Sequence, residues 1–233
     1  MVSIVIPAHN EEDLLGATIG ALTGVARALG RPFEIVVVDD DSTDRTAAVA
    51  AEAGARVVRV KLRHIAAVRN AGAAAARGEH LIFVDADTIV PPQTLGAAVE
   101  ALEGGASAGG THARLPAGEP WWARAGWAPF QWGMILLRLP GGAFMFMTRA
   151  AFDAAGGFDE RFFASEEIHF ARALRKTGRF VMVRPPVVTS ARKFHALGAA
   201  GIMRQWLGML VRGPRVLRSR EHLGLWYGDQ RRK

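Results

Sequence analysis

Four short runs of branched and apolar residues, Val2–Ile6, Glu34–Val38, Arg56–Val60 and His80–Val84, recur at intervals wide enough for a helix. This spacing predicts an α/β chain: a mostly parallel central sheet whose strands are joined by helical crossovers. Between the first two runs, Leu15, Ile19, Leu22, Ala26 and Leu29 step by four, three, four and three, marking one helical face that can lie on a sheet. Asn10 and Gly30 bracket that helix. A second crossover is expected from Ser42 and Thr43 to Gly54, and a third around Ala71–Ala76, ending at Gly78. Pro91 and Pro92 open a fourth.

Beyond about Gly104 the alternation weakens into a Trp-bearing segment, a Gly-Gly pair before Ala143–Met147, a helix from Ser165 and an Arg-rich end. With 233 residues, half of them apolar, the chain can bury a large core, and it reads as one domain. Residues 1–104 form its ligand-binding half, 105–195 a second half suited to an acceptor, and 196–233 a basic helical region. There is no cysteine, which excludes disulfides, thiolate metal sites and a cysteine nucleophile.

Met1 to Pro7 run directly into a strand pattern without the marks of a secretory signal. The long apolar stretches Met134–Met147 and Ala196–Val211 are interrupted by Arg138, Pro140, Arg204 and Gln205. The reading is a cytosolic protein, with peripheral contact at the inner face of the membrane as its one membrane option. A formal net charge of +7 favours anionic partners, among them a diphosphate. No nucleic-acid role is expected.

Parallel sheets bind ligands beyond the carboxyl ends of their strands, so the residues after each run matter most. All four exits are polar: His9-Asn10-Glu11-Glu12, Asp39-Asp40-Asp41-Ser42, Lys61-Leu62-Arg63-His64 and Asp85-Ala86-Asp87. Neither a G-x-G-x-x-G turn nor a P-loop follows the first strand, so a phosphate would need other neutralisation. Asp85 and Asp87 can supply oxygen ligands to Mn²⁺ or Mg²⁺, with diphosphate and water completing the shell. Asp39 can accept a base N–H and a ribose hydroxyl. Helix capping explains Asn10-Glu11-Glu12-Asp13 and Ser42-Thr43-Asp44 equally well when each is taken alone. The conjunction of all four exits at one edge favours the ligand site.

These motifs resemble family 2 glycosyltransferases. The matching stretches are Val2 to Glu12 with its Pro7 and Asn10-Glu11-Glu12, Ile35 to Asp44, Arg69-Asn70-Ala71-Gly72 and Leu81 to Thr88. They continue through Gly156 to Phe163 and Ser165-Glu166-Glu167. The resemblance covers about residues 2–185 and implies a Rossmann-like A-type glycosyltransferase fold with a smaller C-terminal acceptor-binding region. It implies an inverting, metal-assisted transfer from a nucleotide-diphosphate sugar donor to a sugar or lipid-linked acceptor hydroxyl, in cell-envelope polysaccharide or glycolipid synthesis. Pro7, Ala8, Asn10, Glu11, Asp39 and Asp41 would line the nucleoside pocket, with Asp85 and Ala86 near the ribose and Asp87 on the metal. Arg69 would lie beside the diphosphate. Glu166-Glu167 takes the place of the family's acidic pair, usually Glu-Asp, so Glu167 is the expected base, with Glu166 sharing the work. Asp41 stands where the family often has Gly.

Other features are less decisive. His195 is a candidate third metal ligand or diphosphate contact. Trp121, Trp122, Trp127 and Trp132 suit core or subunit packing, with sugar stacking or a lipid headgroup boundary as alternatives. Gly198–Val211 and Arg212, Arg215, Arg218 and Arg220 suit either an anionic membrane or a solvated basic helix. The competing functions are a non-catalytic nucleotide-sugar sensor and a nucleotidyltransferase, although the first loop lacks the glycines and cations of the latter.

Overall fold

The computed structural model describes residues 1–137 and 139–192, together with 195, 198 and 201. The basic C-terminal segment singled out in the sequence lies almost wholly outside the described residues. The four branched runs become strands β1 (Val2–Ala8), β2 (Phe33–Asp40), β3 (Arg56–Val60) and β4 (His80–Val84). Between them lie helices α1 (Glu12–Ala28), α2 (Thr46–Glu52) and α3 (Ile65–Ala75). The periodic face of α1 is the buried one, through Leu15, Ile19, Leu22 and Ala26.

After a two-residue strand β5 (Thr88–Ile89), α4 (Pro92–Glu103) begins with Pro92 in its first turn, where the missing N–H costs nothing. Strands β6 (Ala108–Gly110) and β7 (Ala113–Arg114) lead to α5 (Trp121–Leu136). Then come β8 (Phe144–Thr148), α6 (Arg149–Ala154), α7 (Glu166–Leu174), β9 (Phe180–Met182) and β10 (Val187–Thr189). The central sheet has seven strands in the order β3-β2-β1-β4-β8-β6-β9. Strands β3, β2, β1 and β4 are mutually parallel, and β8 enters antiparallel between β4 and β6. A small second sheet, β5-β10-β7, lies at the ligand edge.

Alternation along the strands gives the sheet two apolar faces. Ile4 and Ile6 join Leu15, Ile19 and Leu95 in a cluster with α1 and α4, whereas Val5 joins Phe83, Phe158 and Phe170 in one with α3 and α7. Gly72 lets α3 approach the sheet closely: a Cβ there would lie 2.3 Å from Val5 Cγ1 and 2.9 Å from Val38 Cγ2. Among the described residues, no helix is long and apolar enough to cross a membrane.

Candidate active site

The exits of β1 and β2 are laced together by side chains that capping arguments would have spent on their own helices. Asn10 N–H donates to Ser42 Oγ (2.9 Å), Asn10 Oδ1 accepts from Thr43 N–H (2.8 Å) and Glu11 N–H donates to Thr46 Oγ1 (2.6 Å). Helix α1 has no side-chain cap, so the capping explanation of Asn10 fails. The three adjacent aspartates after β2 have three environments. Asp39 is 5% exposed, and its Oδ1 is buried without a hydrogen-bond partner. Asp40 is internal scaffolding, its Oδ1 accepting from Leu62 N–H (2.7 Å) and Arg63 N–H (3.0 Å) to fix the β3 exit. Asp41 is exposed and pairs with Lys61 at 3.2 Å. An unpartnered buried carboxylate oxygen is costly unless something completes it, and of the three aspartates Asp39 is the one that carries such an oxygen.

Among the described residues, four non-glycine residues have positive φ: Asn10 (52°), Asp41 (56°), Arg63 (50°) and Ser165 (61°). Three stand at the exits of β1, β2 and β3, and the fourth immediately precedes Glu166. Left-handed backbone at non-glycine positions concentrates where ligands are held. It also explains why glycine suits position 41, since glycine takes this conformation without steric cost.

Past β4, the Asp85-Ala86-Asp87 turn is braced on several sides. Ala86 C=O accepts from Thr18 Oγ1 on α1 (2.9 Å), Asp85 N–H donates to Ala143 C=O (3.2 Å), and Ser190 N–H beyond β10 donates to Asp87 C=O (3.3 Å). Arg192 reaches back from that same segment to pair with Glu11 at 2.5 Å, and the charge of Asp87 also acts on it.

Arg69 is held within the protein by three partners. It is 3% exposed and buried beneath the strand ends, donating through Nη2 to Asp85 Oδ1 (2.9 Å) and Gly142 C=O (3.1 Å) and through Nη1 to Glu166 Oε1. Within the protein it therefore organises the carboxylates Asp85 and Glu166. Asn70 is a staple, exchanging Nδ2–H···O=C and N–H···Oδ1 bonds with Phe158, both at 2.9 Å. Together Arg69 and Asn70 tie α3 to the chain around Glu166 and Glu167.

Glu166 and Glu167 are buried in the first turn of α7, and Ser165 makes no side-chain cap. Asp85, Glu166 and Glu167 thus surround a single guanidinium. Burial works against the charge on Arg69, but these three carboxylates prevail and hold it protonated. Burial also pushes both glutamates above the ordinary carboxylate range. For Glu167 burial acts first and the Glu166 carboxylate second, raising it to about 8. Glu166 bonds Arg69 directly, whereas Glu167 feels that guanidinium only as a charge. A Cβ at Gly142 would lie 3.2 Å from Glu167 Cγ, so the glycine lets the 139–142 segment wall in this side chain.

His195 is engaged by Glu119 and Trp122. Its Nε2 lies 2.6 Å from Glu119 Oε2 and its ring meets Trp122 edge-on. Among the described residues, no three His, Asp or Glu side chains converge into a cation site. Sequence reasoning missed Gly142, Arg192 and Thr18. The Gly141-Gly142 doublet before a strand was the available sign for Gly142. The other two depend on contacts 181 and 68 residues apart in sequence.

Residues 3–153 match the profile of glycosyl transferase family 2. The chain is 38% identical over 119 residues to undecaprenyl-phosphate 4-deoxy-4-formamido-L-arabinose transferase of Edwardsiella ictaluri, covering 47% of this chain and 36% of that protein. It is 41% identical over 109 residues to the protein of the same name from Pseudomonas paraeruginosa, covering 43% of this chain and 32% of that one. The chain thus spans about a third of the length of these curated relatives. Among solved structures it resembles S. aureus TarS 1–349 in complex with UDP (TM-score 0.62, 19% identity, 92% of this chain and 72% of that one). It also resembles the mannosyltransferase PcManGT from Pyrobaculum calidifontis in complex with GDP-Man and Mn²⁺ (TM-score 0.61, 20% identity, 89% and 64%). At these identities the structures establish the fold alone. With the family profile spanning most of its length on this shared architecture, the chain belongs to glycosyl transferase family 2.

Proposed function

We propose that the chain transfers a sugar, with inversion, from a nucleotide-diphosphate sugar to an acceptor hydroxyl. Residues 1–104 serve the donor and 105–195 the acceptor. The observation that carries this reading is the buried Glu167, its carboxyl pushed up to about 8 by burial, beside the Arg69–Asp85 pair at the edge that also holds Asp39 and Asp87. A carboxylate with so high an affinity for a proton is suited to take one from a hydroxyl. Asp39, with its unsatisfied oxygen, reads the nucleoside through a base N–H or ribose hydroxyl, and Pro7, Ala8, Asn10, Glu11 and Asp41 border the same pocket.

The donor set fits a hard divalent cation: Asp85 and Asp87 offer carboxylate oxygens on a turn braced from three sides, and the substrate diphosphate would complete the shell. Mn²⁺ or Mg²⁺ held there would offset the charge growing on the departing diphosphate. The solved neighbour whose complex contains GDP-Man and Mn²⁺ supports this choice of ion. Asp85 is kept in place by Arg69, and burial with the neighbouring Glu166 raises the proton affinity of Glu167, whose deprotonated form takes the acceptor's proton.

A second reading comes from the relatives named as undecaprenyl-phosphate transferases, whose name implies a phosphate acceptor. A phosphate oxygen is already anionic and needs no base. Glu167→Gln separates the two: transfer to a hydroxyl should fall by ~10²–10⁴-fold, whereas transfer to a phosphate should persist. The primary test is binding of UDP-, GDP- and dTDP-sugars with and without Mn²⁺, using the wild type and Asp87→Ala. Metal-dependent binding of one donor, lost in Asp87→Ala, is expected. Failure of every donor to bind, or indifference to metal, would overturn the proposal.

A further inference from the structure

Helix α5 is built the wrong way round for a surface helix. Trp121, Ala125, Pro129, Trp132 and Leu136 step by four, four, three and four, forming one stripe, and all five are exposed. Trp121 is 80%, Trp132 71% and Leu136 82% exposed. The opposite side packs inward through Ala123 and Met134. A helix with solvent on its outer side normally places charge there. Among the described residues there are eight exposed large apolar side chains, and five of them (Trp121, Trp132, Ile135, Leu136 and Leu137) lie on α5 or its C-cap. A patch this concentrated marks a contact surface.

Charge identifies what the surface meets. Residues 121–137 contain no Asp or Glu, and Arg124 flanks the stripe. Arg175 reaches the C-terminal end of the helix, its Nη1 3.5 Å from Leu137 C=O. The nearest acid in sequence, Glu119, is bonded to His195. Two copies of this chain meeting through the stripe would bring arginine towards arginine with no acid on the helix to pair them. Tryptophan and leucine on one side with flanking arginines and no acids suit the boundary between lipid headgroups and acyl chains. About 22 Å of helix, at 1.5 Å per residue, can then lie flat on a bilayer without crossing it.

The stripe also ends at the site. Six residues after Leu136 the chain reaches Gly142, against the Glu167 side chain. We propose that α5 docks on an anionic lipid surface and that the acceptor hydroxyl is carried by a lipid held in that surface. The clause concerning the acceptor rests on the activity proposed above; the docking surface does not.

The test is co-sedimentation of the full chain with vesicles of phosphatidylcholine alone, or of equal parts phosphatidylcholine and phosphatidylglycerol. It compares wild type with the combined Trp121→Ser, Trp132→Ser and Leu136→Ser variant. Donor binding is measured on the same samples. These side chains lie outside the fold's interior and outside the site, so the variant should keep its melting temperature and donor affinity. The wild type should bind the anionic vesicles, with Trp emission shifted to the blue and affinity falling in high salt. The variant should bind at least tenfold more weakly. Wild type that ignores both vesicles, or a variant that binds them equally well, overturns the proposal. So does a wild-type dimer, dissociated by the three substitutions, that never binds lipid, or a stripe shielded from acrylamide quenching without vesicles. Vesicle binding without donor binding would sink the proposed activity and leave the surface standing; donor binding without vesicle binding would do the reverse.

Discussion

At the residue scale the buried end of the site sets one cation, Arg69, among three carboxylates. Arg69 contacts Asp85 and Glu166, and the remaining carboxylate of the group, Glu167, holds a proton up to about pH 8. If Glu167 is the base, kcat/KM for a hydroxyl acceptor should rise tenfold per pH unit below about 8 and level off above it. Glu167→Gln should erase that limb along with the activity, and a steady-state pH profile of both proteins reads this directly. Arg69→Met should be harsher than its distance from any substrate suggests, because removing the guanidinium leaves buried carboxylates uncompensated. A loss of stability of about 3–5 kcal/mol is expected in urea titration. Persistence of wild-type stability would show that the cluster is not held by that charge. The motif Arg69-Asn70-Ala71-Gly72 was visible in the sequence, but its division of labour was not. The partners of Arg69 and Asn70 lie up to 97 residues away, and no spacing rule reports such contacts.

At the element scale, Gly72 sets how closely α3 lies on β1 and β2. Gly72→Ala would drive a methyl group into Val5 and Val38. It should cost about 2–3 kcal/mol, lowering Tm by about 5–10 °C in a thermal melt. Strands β1 and β4 were legible because strands buried on both faces are nearly apolar throughout, and the edge strand β3 through its branched valines; His80–Val84 and Arg56–Val60 were located to the residue. Strands β5, β7 and β10 were not, since two or three residues carry no periodicity and exist only through pairing with one another. The tasks of Asp39, Asp40 and Asp41 were equally hidden: three identical neighbours differ only in what surrounds them. The tryptophans divide in a way composition cannot show, Trp127 packing against the core while Trp121 and Trp132 face outward.

At the scale of the whole molecule, the proton on Glu167 links the site to stability. The folded chain binds that proton up to about pH 8, whereas the unfolded chain releases it near the usual 4.5. Between those values the unfolded state carries fewer protons, so this contribution to stability is complete at low pH and declines as pH rises through the window. Urea titrations at several pH values should show the decline, and Glu167→Gln should flatten it. The left-handed backbone at Asn10, Asp41, Arg63 and Ser165 carries a related cost, roughly 1–2 kcal/mol for each non-glycine residue. Asn10 commits its side chain to Thr43, so among these positions the exposed Asp41, paired with Lys61 at the surface, is where glycine recovers that cost most directly. A laboratory selection for heat resistance alone should turn Asp41 to glycine early, and the variants it yields would melt a few degrees higher while losing a carboxylate from the rim of the site.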